Sequence, residues 1–425
     1  MVDEVLGTDR PGALTGRRFY YGWIVVGMAA LAMVGTLPGR TQGLGLITEP
    51  LLRELGVGRV RYAQINLVAT LAGAFFAFGA GRLIDRRGSR VVLTVVAGAL
   101  GVVVLAMSQV TTAVALLIFI TLTRGLGQTA LSIVSLAMVG KWFQRRLTWA
   151  MGVYSVAMSV GFMIAFPIIG SVVLARGWRF AWAAIGIALA AGLAPLAWLL
   201  VRSTPESVGE EIDGVSDTMG SPAAHMNSTF AEALRTPAFW IFALASALYG
   251  LVASGVGLFN ESILAERGFK PEIYHQALAI TAITGLGGNV IAGAWAERGS
   301  LRPVLVVAML ILTIALAALP HVSTSVHVVA QAIAMGVAGG FVMVVFFSFW
   351  GRTYGHAHLG RIQGAAQVMT VVASAIGPLL LAWCVDATGS YATAFYALAI
   401  AVLALGAAAA LIRLPRAEPR PTETT

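Results

Sequence analysis

Charge is scarce in this chain. Asp, Glu, Lys and Arg make up 11% of its 425 residues, against roughly a quarter in a soluble domain. With 58% apolar residues and a mean hydropathy of +0.84, too little polar surface exists to cover a globule, which excludes a soluble enzyme and a disordered chain. Cysteine is nearly absent: Cys384 alone permits neither an internal disulfide nor a Cys-based metal site. Lysine is almost as rare, with Lys141 and Lys270 the two among 28 basic residues. Despite the net charge of +9, no basic run interleaved with aromatics is found, so no nucleic-acid partner is expected. No Gly-x-x-x-x-Gly-Lys-Ser/Thr loop, no His/Glu metal spacing and no Ser/His/Asp set at membrane depth appears. Neither an enzyme nor a cofactor or metal is expected. Met1 to Gly16 lack the pattern of a cleaved signal, and the apolar stretch after Arg17-Arg18 runs on to Ile47.

What fills the chain is long apolar runs. A membrane-crossing helix needs about 20 mostly apolar residues in sequence. Twelve runs qualify, near 21–47, 62–82, 90–109, 113–139, 148–171, 180–201, 238–260, 274–296, 302–320, 326–350, 362–385 and 392–412. They do not alternate as barrel strands do, and their many glycines suit close helix packing in lipid. The fold class is therefore an all-α membrane protein of twelve helices embedded in a lipid bilayer. Most Lys and Arg fall on the side of the two termini, which the positive-inside rule assigns to the cytoplasm. A bacterial inner or cell membrane is the expected location. Residues 1–20 read as an N-terminal tail, 21–201 as one six-helix bundle, 202–237 as a linker, 238–412 as a second bundle and 413–425 as a tail. The linker is acidic and rich in Ser, Gly and Pro, with a disordered middle expected; Thr229-Phe-Ala-Glu232 fits a capping box.

The two halves match at an offset of 212 residues. Gly43-Leu-Gly-Leu-Ile-Thr-Glu49 faces Gly255-Val-Gly-Leu-Phe-Asn-Glu261, and Glu54 and Gly56 face Glu266 and Gly268. Gly81, Asp85, Arg86 and Arg90 fall on Gly293, Glu297, Arg298 and Arg302. Six spans per copy keep both copies in one orientation, a parallel repeat with a substrate site expected between them at mid-membrane.

The loop after span 2 reads Gly81-Arg-Leu83-Ile-Asp85-Arg86-Arg-Gly88-Ser-Arg90 and resembles the signature G-x-L-x-D-R-x-G-x-R of the major facilitator superfamily. Lys141-Trp-Phe-Gln-Arg145-Arg146, Tyr354-Gly-His-Ala-His-Leu-Gly-Arg361 and Gly377-Pro378 are similar to its monocarboxylate-porter and oxalate/formate-antiporter branch. The resemblance implies a secondary transporter working by alternating access, with a proton or counter-anion as coupling partner; a monomer is expected. It also implies a gate at the cytoplasmic end, built from Gly81, Asp85, Arg86, Gly88 and Arg90 with Arg145 and Arg146. Its degenerate copy is Glu297, Arg298 and Arg302. Helix capping and topology alone are the plainer reading of these charges.

Ionisable residues at membrane depth are costly and point to function. Arg124 lies near the middle of span 4 and Arg40 follows Pro38-Gly39 in span 1. A guanidinium holds a carboxylate bidentately, so the pair suits a small organic anion and disfavours organic cations. A structural Arg124 and an Arg40 snorkelling to the interface are the alternatives. Asn289 stands where branch members carry an Arg in span 8, and no Lys occurs in span 11. Asn289 is a candidate substrate contact or an interhelical hydrogen bond. Glu49, Glu261 and Asp386 are candidates for proton coupling, each otherwise a solvated residue at a span end, as are His275 and His327. Efflux of larger amphipathic compounds is the competing function, and would be favoured by Trp182, Trp240, Tyr249, Phe346 and Phe347 clustering in a cavity.

Overall fold

The computed structural model describes residues 20–143, 146–210, 228–355, 358–412 and Leu414, apart from the side chains of Phe78, Asp85 and Thr148. Twelve helices among these are long and apolar enough to cross a membrane. They are spans 1 (Gly22–Gly39), 2 (Arg59–Ile84), 3 (Arg86–Met107), 4 (Ala113–Trp142), 5 (Trp149–Arg176) and 6 (Trp178–Leu200). The second set is spans 7 (Pro237–Ala265), 8 (Pro271–Glu297), 9 (Leu301–His321), 10 (Ser325–Tyr354), 11 (Arg361–Thr388) and 12 (Ala392–Leu411). Many Leu, Ile, Val and Phe side chains on them are exposed, as lipid-facing positions require, while small residues pack inward. Thr229 and Glu232 form the expected capping box of a short helix, Phe230–Arg235. The expected disorder of the linker falls on residues 211–227, outside the described residues.

The first run departs from its single-helix expectation. After Val34 the chain tightens into a 3-10 turn at Leu37–Gly39, passes Arg40 in extended conformation, and restarts as Thr41–Gly45 and Thr48–Leu55. Pro38 supplies no backbone N–H to a helix. Gly39 lies so close to the Thr123 carbonyl of span 4 that a Cβ would collide with it. Span 7, its counterpart, runs unbroken through Pro237–Ala265.

The repeat survives as geometry. Beyond the end of span 1, Glu54 accepts from Trp178 Nε1 and Arg179 Nε (2.6 Å each) at the head of span 6. Glu266, 212 residues on, accepts from Ser390 Oγ (2.6 Å) and Tyr391 N (3.3 Å) at the head of span 12. Gly56 and Gly268 both turn with positive φ, at 62° and 81°. At the opposite end Arg90 Nε donates to Trp198 O (2.7 Å) and Arg302 Nη1 to Ile412 O (3.0 Å), each capping the last carbonyls of its bundle's final span.

The halves meet at the end away from the signature loop, called here the far end. Gly45 and Gly257 are counterparts in the repeat, and a Cβ on Gly45 would overlap the Gly257 carbonyl. The pseudo-two-fold axis therefore passes between them. Tyr274 on span 8 donates its hydroxyl weakly to Gln42 O and Gly257 O (3.4 Å each). Beside it, the His275 ring packs against Gly170 of span 5. At the signature end, no hydrogen bond joins spans of the two halves among the described residues. Gly152 of span 5 and its counterpart Gly364 of span 11 have no atom of another element near where a Cβ would stand. Among the described residues, the bonds and close approaches named here between the halves lie at the far end.

Candidate substrate site and gates

Span 4 changes pitch where its charge lies: Arg124–Leu131 is a π-helical stretch, a local widening often found at functional sites. Gly73 of span 2 admits this turn closely, since a Cβ there would be 2.8 Å from Arg124 Cβ. The Arg124 side chain is 2% exposed. Its Nη1 donates to Thr41 Oγ1 (2.9 Å) and Gln128 Oε1 (2.7 Å), and its Nη2 to Asn66 Oδ1 (2.9 Å). Asn66 is oriented for this by its own bond from Nδ2 to Tyr62 O (3.0 Å). Arg124 Nε is buried without a partner. The guanidinium thus ties spans 1, 2 and 4 through neutral acceptors, and no carboxylate among the described residues pairs with it.

Arg40 sits where span 1 is broken. Its side chain points back along the span, away from the far-end interface, so the snorkelling alternative is corrected. Nε donates to Thr36 Oγ1 (2.6 Å), and Nη2 contacts Met33 Sδ (2.8 Å) and Ser132 Oγ (3.5 Å). The guanidinium lies 5.3 Å from the centre of the Phe162 ring of span 5. It remains half-buried, between spans 1, 4 and 5, and again faces no acid among the described residues. These two cations, one enclosed and one accessible, are brought together on the first half.

Asn289 is not brought to them. It stands half-buried on span 8 beside Gly340 of span 10, with no side-chain hydrogen bond to a described residue. The counterparts of Thr41, Asn66, Arg124 and Gln128 are Ala253, Leu278, Gly336 and Gly340, so the polar constellation belongs to one copy of the repeat.

Of the expected gate residues, Arg86, Arg146, Glu297 and Arg298 are exposed, and Gly81 has open space beside it. The Asp85 side chain and all of Arg145 lie outside the described residues. Gly88 turns the chain between spans 2 and 3 with φ 78°, pressed against Ser203. Arg90 lies 4.2 Å from the Trp198 ring centre and, like Arg302, bonds within its own half rather than across.

Of the proton-coupling candidates, Glu49 is 7% exposed and paired with Arg59 (2.8 Å), which corrects its reading as a solvated residue. Asp386 is exposed. His275 is buried, and His327 lies exposed in the first turn of span 10, its backbone N–H donating to the capping Thr324 Oγ1 (3.3 Å). Trp350 is fully buried among Phe239, Phe346 and Tyr354. Trp182 and Phe346 are packed in the core, Trp240 and Phe347 face outward, and Tyr249 lines a pocket with Gln42, Asn260 and Gln331.

A family model for the Major Facilitator Superfamily matches residues 23–262 and 242–425. The chain belongs to the major facilitator superfamily. This superfamily member is a membrane transporter and not an enzyme. Among its relatives, a hexuronate transporter of Bacillus subtilis (strain 168) is 26% identical over 391 residues, 87% of this chain and 89% of that protein. A probable L-galactonate transporter of Escherichia coli (strain K12) is 24% identical over 403 residues, 86% of this chain and 84% of that one. The fold matches the nucleoside transporter NupG with a TM-score of 0.69 at 16% identity, covering 92% and 98% of the two chains. It also matches a bacterial homologue of the human lysosomal transporter Spinster, in an inward-facing, unoccupied conformation. There the TM-score is 0.67 at 14% identity, over 93% and 96% of the chains.

Proposed function

We propose that the protein carries a small, hydroxyl-rich carboxylate, a sugar acid, across the membrane by alternating access. The observation that carries this reading is the pair Arg40 and Arg124, two guanidinium groups in the first half that face only neutral partners. A buried cation without a countercharge is under-compensated, and an anion entering beside it relieves that deficit. Arg40 is the group such an anion reaches first, because it is half-buried and, beyond the Nε bond to Thr36, its partners are weak: a thioether, a distant hydroxyl and an aromatic ring. Arg124 shapes the site from behind by holding the broken span 1 against spans 2 and 4. The names of the hexuronate and L-galactonate transporters support the substrate class, since both solutes join one carboxylate to several hydroxyls. The bias of Arg toward the signature end supports a cytoplasmic placing of that end and of both termini.

The experiment is a thermal-shift screen of the purified protein with hexuronates, aldonates, the matching neutral sugars and organic cations. A ligand at 100 times its Kd adds about 2.7 kcal/mol of apparent stability. Stabilisation by the acids alone, lost in Arg40→Gln, is expected. Equal stabilisation by neutral sugars, or an undiminished shift in Arg40→Gln, refutes the anion site.

A further inference from the structure

At the far end, where the halves meet, they share a partly open cavity of about 390 Å3, lined by Glu49, Arg53 and Arg59 from the first half and Glu261, Glu266 and Tyr391 from the second. Glu49 and Glu261 are counterparts in the repeat, about one helical turn past the Gly45–Gly257 contact in each copy. An axis that passes between those glycines delivers both carboxylates to one cavity whenever this end shuts.

The acids differ in what satisfies them. Glu49 takes both Arg59 nitrogens, with Nη2 at 2.8 Å and Nε at 3.3 Å. Glu266 is held by Ser390, Tyr391 N and Arg267. Glu261, half-buried, has no hydrogen bond from a described residue and shares the cavity with the like-charged Glu49. Of the other groups facing it, Arg59 is already neutralised by Glu49. Arg53 also lines the cavity but is exposed, where water and salt screen it. Tyr274 is within electrostatic reach and is a neutral phenol with its hydroxyl committed to backbone carbonyls.

We propose that Glu261 and Glu49 form a proton-operated latch: the far end closes with a proton on Glu261 and opens as that proton is given up. Two carboxylates facing one confined cavity resist joint ionisation, and parting the halves hydrates Glu261 more fully and separates it from Glu49. The proton enters and leaves on the same side, so the latch sets which end is open without itself moving a proton across. This rests on the alternating-access reading, but not on the identity of the solute.

The test uses the full chain in a Cys384→Ser background, spin-labelled at Arg61→Cys and Glu272→Cys, exposed positions at the far ends of spans 2 and 8. Pulsed dipolar distances are measured from pH 5 to 9 without solute. The short-distance population is expected to grow as pH falls, by at most tenfold per unit for one proton. Glu261→Gln stays closed across the range, while Glu266→Gln and His275→Gln keep the response. A wild-type distance independent of pH overturns the latch, as does a Glu261→Gln variant that titrates like wild type or a response lost in His275→Gln. A distance that moves with added sugar acid but not with pH defeats the latch alone. One fixed under both conditions defeats alternating access with it.

Discussion

Replacing Asn66 with Leu removes one acceptor from Arg124 with little change of shape, and the repeat already carries Leu278 at the counterpart position. The bond lost is Nη2 to Oδ1 at 2.9 Å, on a guanidinium that is 2% exposed. Interhelical hydrogen bonds in membrane proteins average about 0.6 kcal/mol and reach about 1.7, whereas bonds to charged groups are worth about 1.5–3. The charge and the burial place this one near the top of the membrane range, at about 1.5 kcal/mol. Asn66→Leu also loses the bond to Tyr62 O, so the single variant overstates the effect. A double-mutant cycle with Arg124→Met cancels that second loss, because it occurs in both backgrounds. SDS-induced unfolding in mixed micelles is the assay, and a coupling of about 1.5 kcal/mol is expected. Additivity within about 0.4 kcal/mol would refute Arg124 as the clasp of spans 1, 2 and 4.

Gly45→Leu drives a side chain into the Gly257 carbonyl and is expected to hold the far end open, read as a lengthened distance between labels on spans 2 and 8. Gly88→Ala must accept a φ of 78° with its Cβ 2.5 Å from Ser203 Oγ, and should cost about 1–2 kcal/mol in the same unfolding assay. Arg179, with help from Trp178, holds the Glu54 carboxyl below the usual carboxylate range. A depressed pKa contributes stability above the unfolded value near 4.3, lost as pH falls through the folded one. Glu54→Gln should therefore destabilise at pH 7 and converge on wild type as pH falls below the usual carboxylate range. With the Glu54 side chain 46% exposed, the difference stays below about 1 kcal/mol.

Span count, repeat offset and the isolated Arg residues were legible because apolar run length and intramembrane charge are one-dimensional signals. The break in span 1 was only half legible. Pro38-Gly39 marked it, but hydropathy continued across it, and the collision with Thr123 that requires Gly39 is a tertiary fact. Thr36–Arg40 and Arg124–Gln128 share i,i+4 spacing and could have been found as pairs; Asn66, a lone amide in an apolar run, was the remaining signal. Ser132 and Phe162 offered none, since one hydroxyl or one ring among many gives no clue to what it faces. Burial of Glu49 was hidden because a residue at a span end reads as solvated until the opposite half is placed against it.

Both cations belong to the first half, and the positions matching Arg40 and Arg124 in the second are Val252 and Gly336. In the alternating-access cycle proposed above, an empty carrier would reorient with two fixed positive charges in its first half, and one loaded with a monoanion with one fewer. A membrane potential exerts about 2.3 kcal/mol per charge per 100 mV on whatever share of the field that half traverses. Voltage then bears more heavily on the return of the empty protein than on the loaded crossing. The duplicated scaffold, uncharged at these positions in one copy, makes the carrier electrically lopsided, and the solute reduces the imbalance.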